Sequence, residues 1–254
     1  MITPVETRWN SSLMMMRSVI QMRSALEEIK ESTRATEVKL QELIPESFEF
    51  DVIETIIPVL TKFEAVSNFM QSETIPTICH VMVKLCFLQL TLKKAIESSP
   101  EESALQKLCD FMSKDLEKRF PKNGSGEKVY AYTHLLHPGQ KGTILYQQSI
   151  FNDTCKSLCQ DEESAPEEAA LDVAMHLDSD EEDEEQAMLA TMSQAMPKQN
   201  LNEDSPMMQE IVTYISGGLV PGKNLDVLAY WKQHSKQFPL LAKVNININD
   251  KNDS

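Results

Sequence analysis

Apolar residues recur three or four positions apart through most of this chain, and that spacing confines it to helices. Leu13, Met16, Ile20, Leu26 and Ile29 form one stripe, after the cap candidates Thr7 to Ser12. Val52, Ile56, Val59, Phe63 and Val66 form a second, Ile78, Val81, Leu85, Leu88 and Leu92 a third, and Leu105, Leu108, Met112 and Leu116 a fourth. At 3.6 residues per turn each set lies on one face and asks for a core. Only 7 of the 254 residues are glycine, which argues against a turn-rich sheet protein. The expectation is an all-α helical bundle of roughly four to six helices.

Prolines and polar clusters set the punctuation. Pro45 ends the first helical region, which runs to about Arg34 or on to Leu43. Pro58 interrupts the second, so that the helix kinks or two helices meet there. Ser72 to Thr77 separates the second pattern from the third. Ser99-Pro100-Glu101-Glu102 reads as a helix start: a hydroxyl, proline in the first turn, then acids at the positive end of the dipole. Pro121 to Gly126 is a loop. Residues 129–136 form a short helix, and Gly142 precedes a weaker one from Ile144 to Leu158. After Pro206 a helix from Met207 to Ile215 ends at Gly217-Gly218. Asn224 caps a last one from Leu225 to about Ser235, Phe238 to Ala242 adds a turn, and the Asn-rich tail 245–254 is expected to fray.

Charge divides the chain more sharply than hydrophobicity. From Ser157 to Pro197 there is no Lys or Arg, while thirteen Asp and Glu fall there. Taking these thirteen from the net −15 leaves −2 for the rest, so the helical part is nearly neutral. The acidic stretch has few apolar residues and no period. It buries too little surface to offset its ordering entropy and reads as a disordered linker, with a short helix at Gln186 to Met196. The expected organisation is therefore a helical domain over 7–158, a linker over 159–205 and a short C-terminal helical segment over 206–244. Proteases are expected to cut first between Gln160 and Met196.

Few residues invite chemistry. The 5 cysteines are odd in number, and with no leader before them they read as reduced thiols of an intracellular protein. No apolar run is long enough to cross a bilayer. Cys155 and Cys159 sit one helical turn apart, and His134 and His137 are close, but no paired structural-zinc pattern accompanies them, so no metal is expected. Cys79 and His80 are neighbours on a helix and point in different directions, which denies them a nucleophile–base pairing. There is no phosphate-binding glycine loop and no nucleophile elbow. The acidic run 178–185 is too flexible to fix metal-ligand geometry. No cofactor, metal or small-molecule substrate is expected.

Several blocks occur in an order that resembles the hAT superfamily of DNA transposases. Thr7-Arg8-Trp9-Asn10-Ser11-Ser12 resembles the family's Arg-Trp block at the start of its helical insertion domain. Leu60, Phe63, Val66 and then Ile75-Pro76-Thr77-Ile78 resemble the segments that follow. Leu136-His137-Pro138-Gly139-Gln140-Lys141 takes the place of a Leu-Asp-Pro-Arg-Phe-Lys block, departing at His137, Gly139 and Gln140. Glu210 to Ile215, then Leu225 to Ala242 with Trp231 and Phe238-Pro239-Leu240-Leu241, resemble the opening of the C-terminal dimerisation region.

The resemblance implies a binding role and no catalysis. The family's first two catalytic carboxylates precede the Arg-Trp block and its third follows the Phe-Pro block, positions these 254 residues do not cover. Trp9 would stack on an unpaired base and Arg8 would reach a phosphate. Leu225, Leu228, Trp231, Phe238, Pro239, Leu240 and Leu241 would pack or dimerise. Self-association or association with related hAT proteins, DNA contact and a nuclear location follow by resemblance, without a membrane. Two alternatives stand beside this: a fragment of a longer, active transposase, and a helical interaction scaffold that touches no DNA.

Overall fold

The computed structural model describes residues 9–32, 42–72, 77–120, 127–147, 150–161, 184, 187–192, 205–220 and 225–250. All regular structure among them is helical: α1 (Trp9–Gln21), α2 (Arg23–Ser32), α3 (Ser47–Met70), a 3-10 turn (Thr77–His80), α4 (Val81–Ser98), α5 (Ala104–Arg119), α6 (Glu127–Leu136), α7 (Thr143–Gln147), α8 (Phe151–Asp161), α9 (Pro206–Ser216), α10 (Val227–His234) and α11 (Pro239–Asp250). The fold class is all-α. No helix among the described residues is long and apolar enough to cross a membrane. All five cysteines are unbridged thiols.

The chain divides into two compact units, one of residues 1–68 with 88–119, the other of 69–87 with 120–254. In the first, Val59, Leu92 and Cys109 form a buried cluster with Phe63, Ile96 and Met112 against it. Ion pairs tie α1 and α2 to α3. Arg17 donates to Glu64 and to Thr61, both at 2.8 Å, and Arg23 bonds Asp51 at 2.9 Å and Glu54 at 3.3 Å while its guanidinium lies 5.2 Å from the Phe50 ring. In the second unit Trp231, Tyr214, Phe151, Leu135, Leu136 and Met207 are among the fully buried side chains of one larger core.

Several boundaries differ from the sequence reading. Pro58 lies inside a continuous α3, so of the two alternatives for this position two separate helices are excluded. Within residues 9–32 the first helical run breaks at Met22, whose amide reaches both Ser18 O and Val19 O at 3.2 Å. The start of α5 is set by Ser103, whose hydroxyl accepts from Gln106 N at 3.2 Å, not by Ser99. Asp226, not Asn224, caps α10, accepting from Ala229 N at 2.8 Å. The span Ile144 to Leu158 is two helices, α7 and α8. The tail helix runs to Asp250, through residues expected to fray, because Pro239 opens it and Leu241, Ala242 and Asn245 are buried along it. Residues 187–192 are helical, and 162–183, which carry most of the acidic run, lie outside the described residues.

Candidate functional site

The C-terminal block is held by its own unit, around the carboxyl end of α6. Leu136 is the last residue of that helix, so its carbonyl has no partner along the helix axis. Two side chains satisfy it: Trp231 Nε1 donates at 3.0 Å and Tyr214 Oη at 3.1 Å, which uses both lone pairs of the oxygen. The Tyr214 ring lies 5.0 Å from Trp231 and 5.8 Å from Phe238, tilted and edge-on respectively, within the range favourable for aromatic pairs. Trp231 and Leu241 are fully buried and Phe238 nearly so. Leu240 packs against the same core, Leu225 and Leu228 are half-buried, and Pro239 is exposed.

Two charged side chains complete this packing. The Glu210 carboxylate on α9 accepts from Leu240 N at 3.0 Å and Leu241 N at 3.1 Å, capping the amino end of α11 with negative charge. Lys141 Nζ donates to Tyr214 O at 2.6 Å, near the carboxyl end of α9, and lies 4.5 Å from the Tyr214 ring centre. Burial pushes the Lys141 pKa down to about 8. Its backbone φ of 44° is left-handed, and Gly142 follows at 73°. The chain thus doubles back after α6 and aims Lys141 at α9.

The same turn gathers histidines. His134 Nδ1 meets Gln140 Oε1 at 2.7 Å, and Ile144 N donates to its Nε2 at 3.3 Å. Gln140 Nε2 faces His80 Nδ1 at 3.1 Å, and the Gly139 amide donates to His137 Nδ1 at 3.2 Å. The His80 ring meets both Phe69 and His137 edge-on at 5.1 Å. Donor atoms of Cys79, His80 and His137 lie within 4.8 Å of one another. Burial keeps these rings neutral: the His134 pKa falls to about 4 and that of His80 to about 3, with Lys84 adding to the latter, while His137 is also well below its usual value. Burial pushes the Cys79 thiol up to about 12.

The other unit presents a different surface. Leu43 is 80% exposed and Phe48 66%. Both line a groove of about 580 Å³ with Ile44, Pro45, Val52 and Ile53. Large apolar side chains left in water beside a concavity are what docking surfaces are made of.

Of the residues singled out in the sequence, Arg8 lies outside the described residues. Trp9 opens α1, and its side chain also lies outside them. Asn10, next in that block, has a buried Oδ1 with no hydrogen-bond partner among the described residues. Of the seven C-terminal residues, Trp231, Phe238, Leu240 and Leu241 are brought together in the chain's own core, and Leu225, Leu228 and Pro239 are not part of it. Sequence reasoning missed the grouping of Cys79 and His80 with His137. The signal was present as a Cys-His pair and a His-x-x-His run, but 3-10 geometry, which sets neighbours differently from an α-helix, and a 57-residue separation concealed it. No protein-family model matches this chain, and no curated protein matches it either.

Proposed function

We propose that this chain is a transposase-derived association module of hAT type: it binds a second copy or a related chain, works in the nucleus and contacts DNA through Arg8 and Trp9, with no nuclease chemistry of its own. The observation that most supports this reading is the convergence around Leu136. The Leu136–Lys141, Glu210–Ile215 and Trp231–Pro239 blocks all belong to the resemblance, and they meet through Trp231 Nε1, Tyr214 Oη and Lys141 Nζ. Blocks that share one core are expected to be inherited together. Several of the described carboxylates serve structure: Glu64, Asp51 and Glu54 pair with arginines and Glu210 caps a helix.

Association falls to the apolar surface that the core leaves outside. Trp231, Phe238 and Leu241 are consumed by intramolecular packing, so the Leu43–Phe48 groove is the association face. Light scattering across a concentration series is expected to show a dimer that Phe48→Glu dissociates. A monomer at all concentrations up to about the highest used for interfaces of modest size would remove the association reading. For DNA, a gel shift at low salt is expected for the parent and lost in Trp9→Ala; equal behaviour of the two proteins would remove the DNA reading.

A further inference from the structure

We propose that Cys79, His80 and His137 form a binding site for one thiolate-preferring transition-metal ion, of the zinc(II) or copper(I) class. The three side chains come from two separate stretches of one unit, the 3-10 turn Thr77–His80 and the turn after α6. Their donor atoms are mutually within 4.8 Å. Tetrahedral zinc with bonds of ~2.0–2.3 Å needs donors about 3.5 Å apart, so closing the site asks each side chain to move by less than a bond length. One soft sulfur and two imidazoles are a donor set that selects zinc or copper(I) over magnesium or calcium, which want oxygen.

The surroundings orient both rings. The Ile144 amide donates to His134 Nε2, so His134 donates from Nδ1 to Gln140 Oε1 at 2.7 Å, and Gln140 Nε2 donates to His80 Nδ1 at 3.1 Å, which orients the His80 ring and leaves its acceptor lone pair on Nδ1. The Gly139 amide donates to His137 Nδ1 at 3.2 Å, so that ring too carries its acceptor lone pair on Nδ1. A Cβ on Gly139 would stand 3.3 Å from the His137 ring, so glycine here leaves room for that ring. Thr133 Oγ1, which has closer acceptors in Val129 O at 3.0 Å and Tyr130 O at 3.1 Å within α6, lies 3.4 Å from Ile78 O of the 3-10 turn. The ion binds at the two Nδ1 lone pairs of His80 and His137 and takes the place of the N–H donors now on them. On binding, the Cys79 Sγ–H bond breaks, an Sγ–metal bond forms and the proton goes to solvent. No change of oxidation state is involved. Thiolate and copper(I) together are neutral, and thiolate and zinc(II) leave one positive charge near Lys84, which already acts on His80.

The test uses the whole chain, stripped with chelator and kept reduced. Zinc(II) and copper(I) are titrated separately against a competing chromophoric chelator, and cobalt(II) is added as a spectroscopic substitute. One equivalent of zinc or copper(I), with a thiolate-to-cobalt charge-transfer band, is expected. Cys79→Ala abolishes the band, and His137→Asn weakens affinity at least about tenfold. The double variant Cys155→Ala/Cys159→Ala keeps both the stoichiometry and the band. Helicity by circular dichroism identifies any variant that fails to fold, and His80→Gln then takes the place of Cys79→Ala. Absence of stoichiometric binding of either ion, or a band that survives Cys79→Ala and disappears in the Cys155/Cys159 variant, overturns the site.

Discussion

Leu136 O shows how much a single acceptor can organise. Replacing Trp231 by Phe removes one donor, but Tyr214 still satisfies the carbonyl. The loss is therefore that of one ordinary hydrogen bond, about 1 kcal/mol. Trp231→Ala also empties a fully buried volume and is expected to cost about 3–5 kcal/mol. Urea unfolding midpoints of the two variants measure the difference; equal losses would mean that the indole's bulk contributes little. His134 gives a second prediction at this scale. Its folded pKa of about 4 lies below the ordinary 6.5 because burial disfavours the cation. Between those values the unfolded chain binds more protons than the folded one, so stability rises with pH there and falls as pH drops from 6.5 towards 4. For chelator-treated protein that contribution is about 3 kcal/mol by pH 4, and His134→Asn is expected to flatten the acid limb by that amount. An unchanged acid limb in the variant would exclude His134 as its source. Neither residue's role was legible locally: Trp231 read as a packing residue, and His134 as half of a short His-x-x-His run.

At the scale of elements, caps explain where helices begin. Ser103 and Asp226 cap α5 and α10, though Ser99 and Asn224 are equally good residue types for the purpose. Local chemistry offers candidates, and packing of the following helix chooses among them. The start of α11 uses no local cap at all. It draws on Glu210, 30 residues away along the chain, for Leu240 N. Glu210→Ala is expected to cost about 1–2 kcal/mol, and Glu210→Gln, which keeps an acceptor and loses the charge, about 0.5–1 kcal/mol. Faster hydrogen exchange confined to residues 239–245 in Glu210→Ala would check the assignment, and uniform exchange across the unit would refute it. Pro58 illustrates the opposite case: a strong local breaker is carried within a helix of 24 residues, where Thr61 Oγ1 donates to Ile57 O at 2.8 Å one turn on and Val59 and Phe63 pack into the core.

For the whole molecule, association predicts a melting temperature that rises with protein concentration, because pairing stabilises only the folded form. Phe48→Glu is expected to remove that dependence without lowering the melting temperature of the dilute protein, since Phe48 is mostly in water already. A concentration-independent parent would count against the association face. The ion pairs of Arg17 and Arg23 with α3 bear on the same scale. They commit two arginines of α1 and α2 to carboxylates of α3, which takes these two charges out of the DNA contact proposed for Arg8 and Trp9. The sequence by itself determined that the chain is helical, since apolar spacing is a property of a few turns, and it determined roughly where most helices lie. It also marked out the segments that carry the family resemblance. Only the tertiary structure decided what those segments touch. Trp231 turns inward to a carbonyl 95 residues away, and Cys79 and His80 meet His137 across 57 residues of chain. Such meetings depend on how helices pack and where turns reverse the backbone, which no local period encodes.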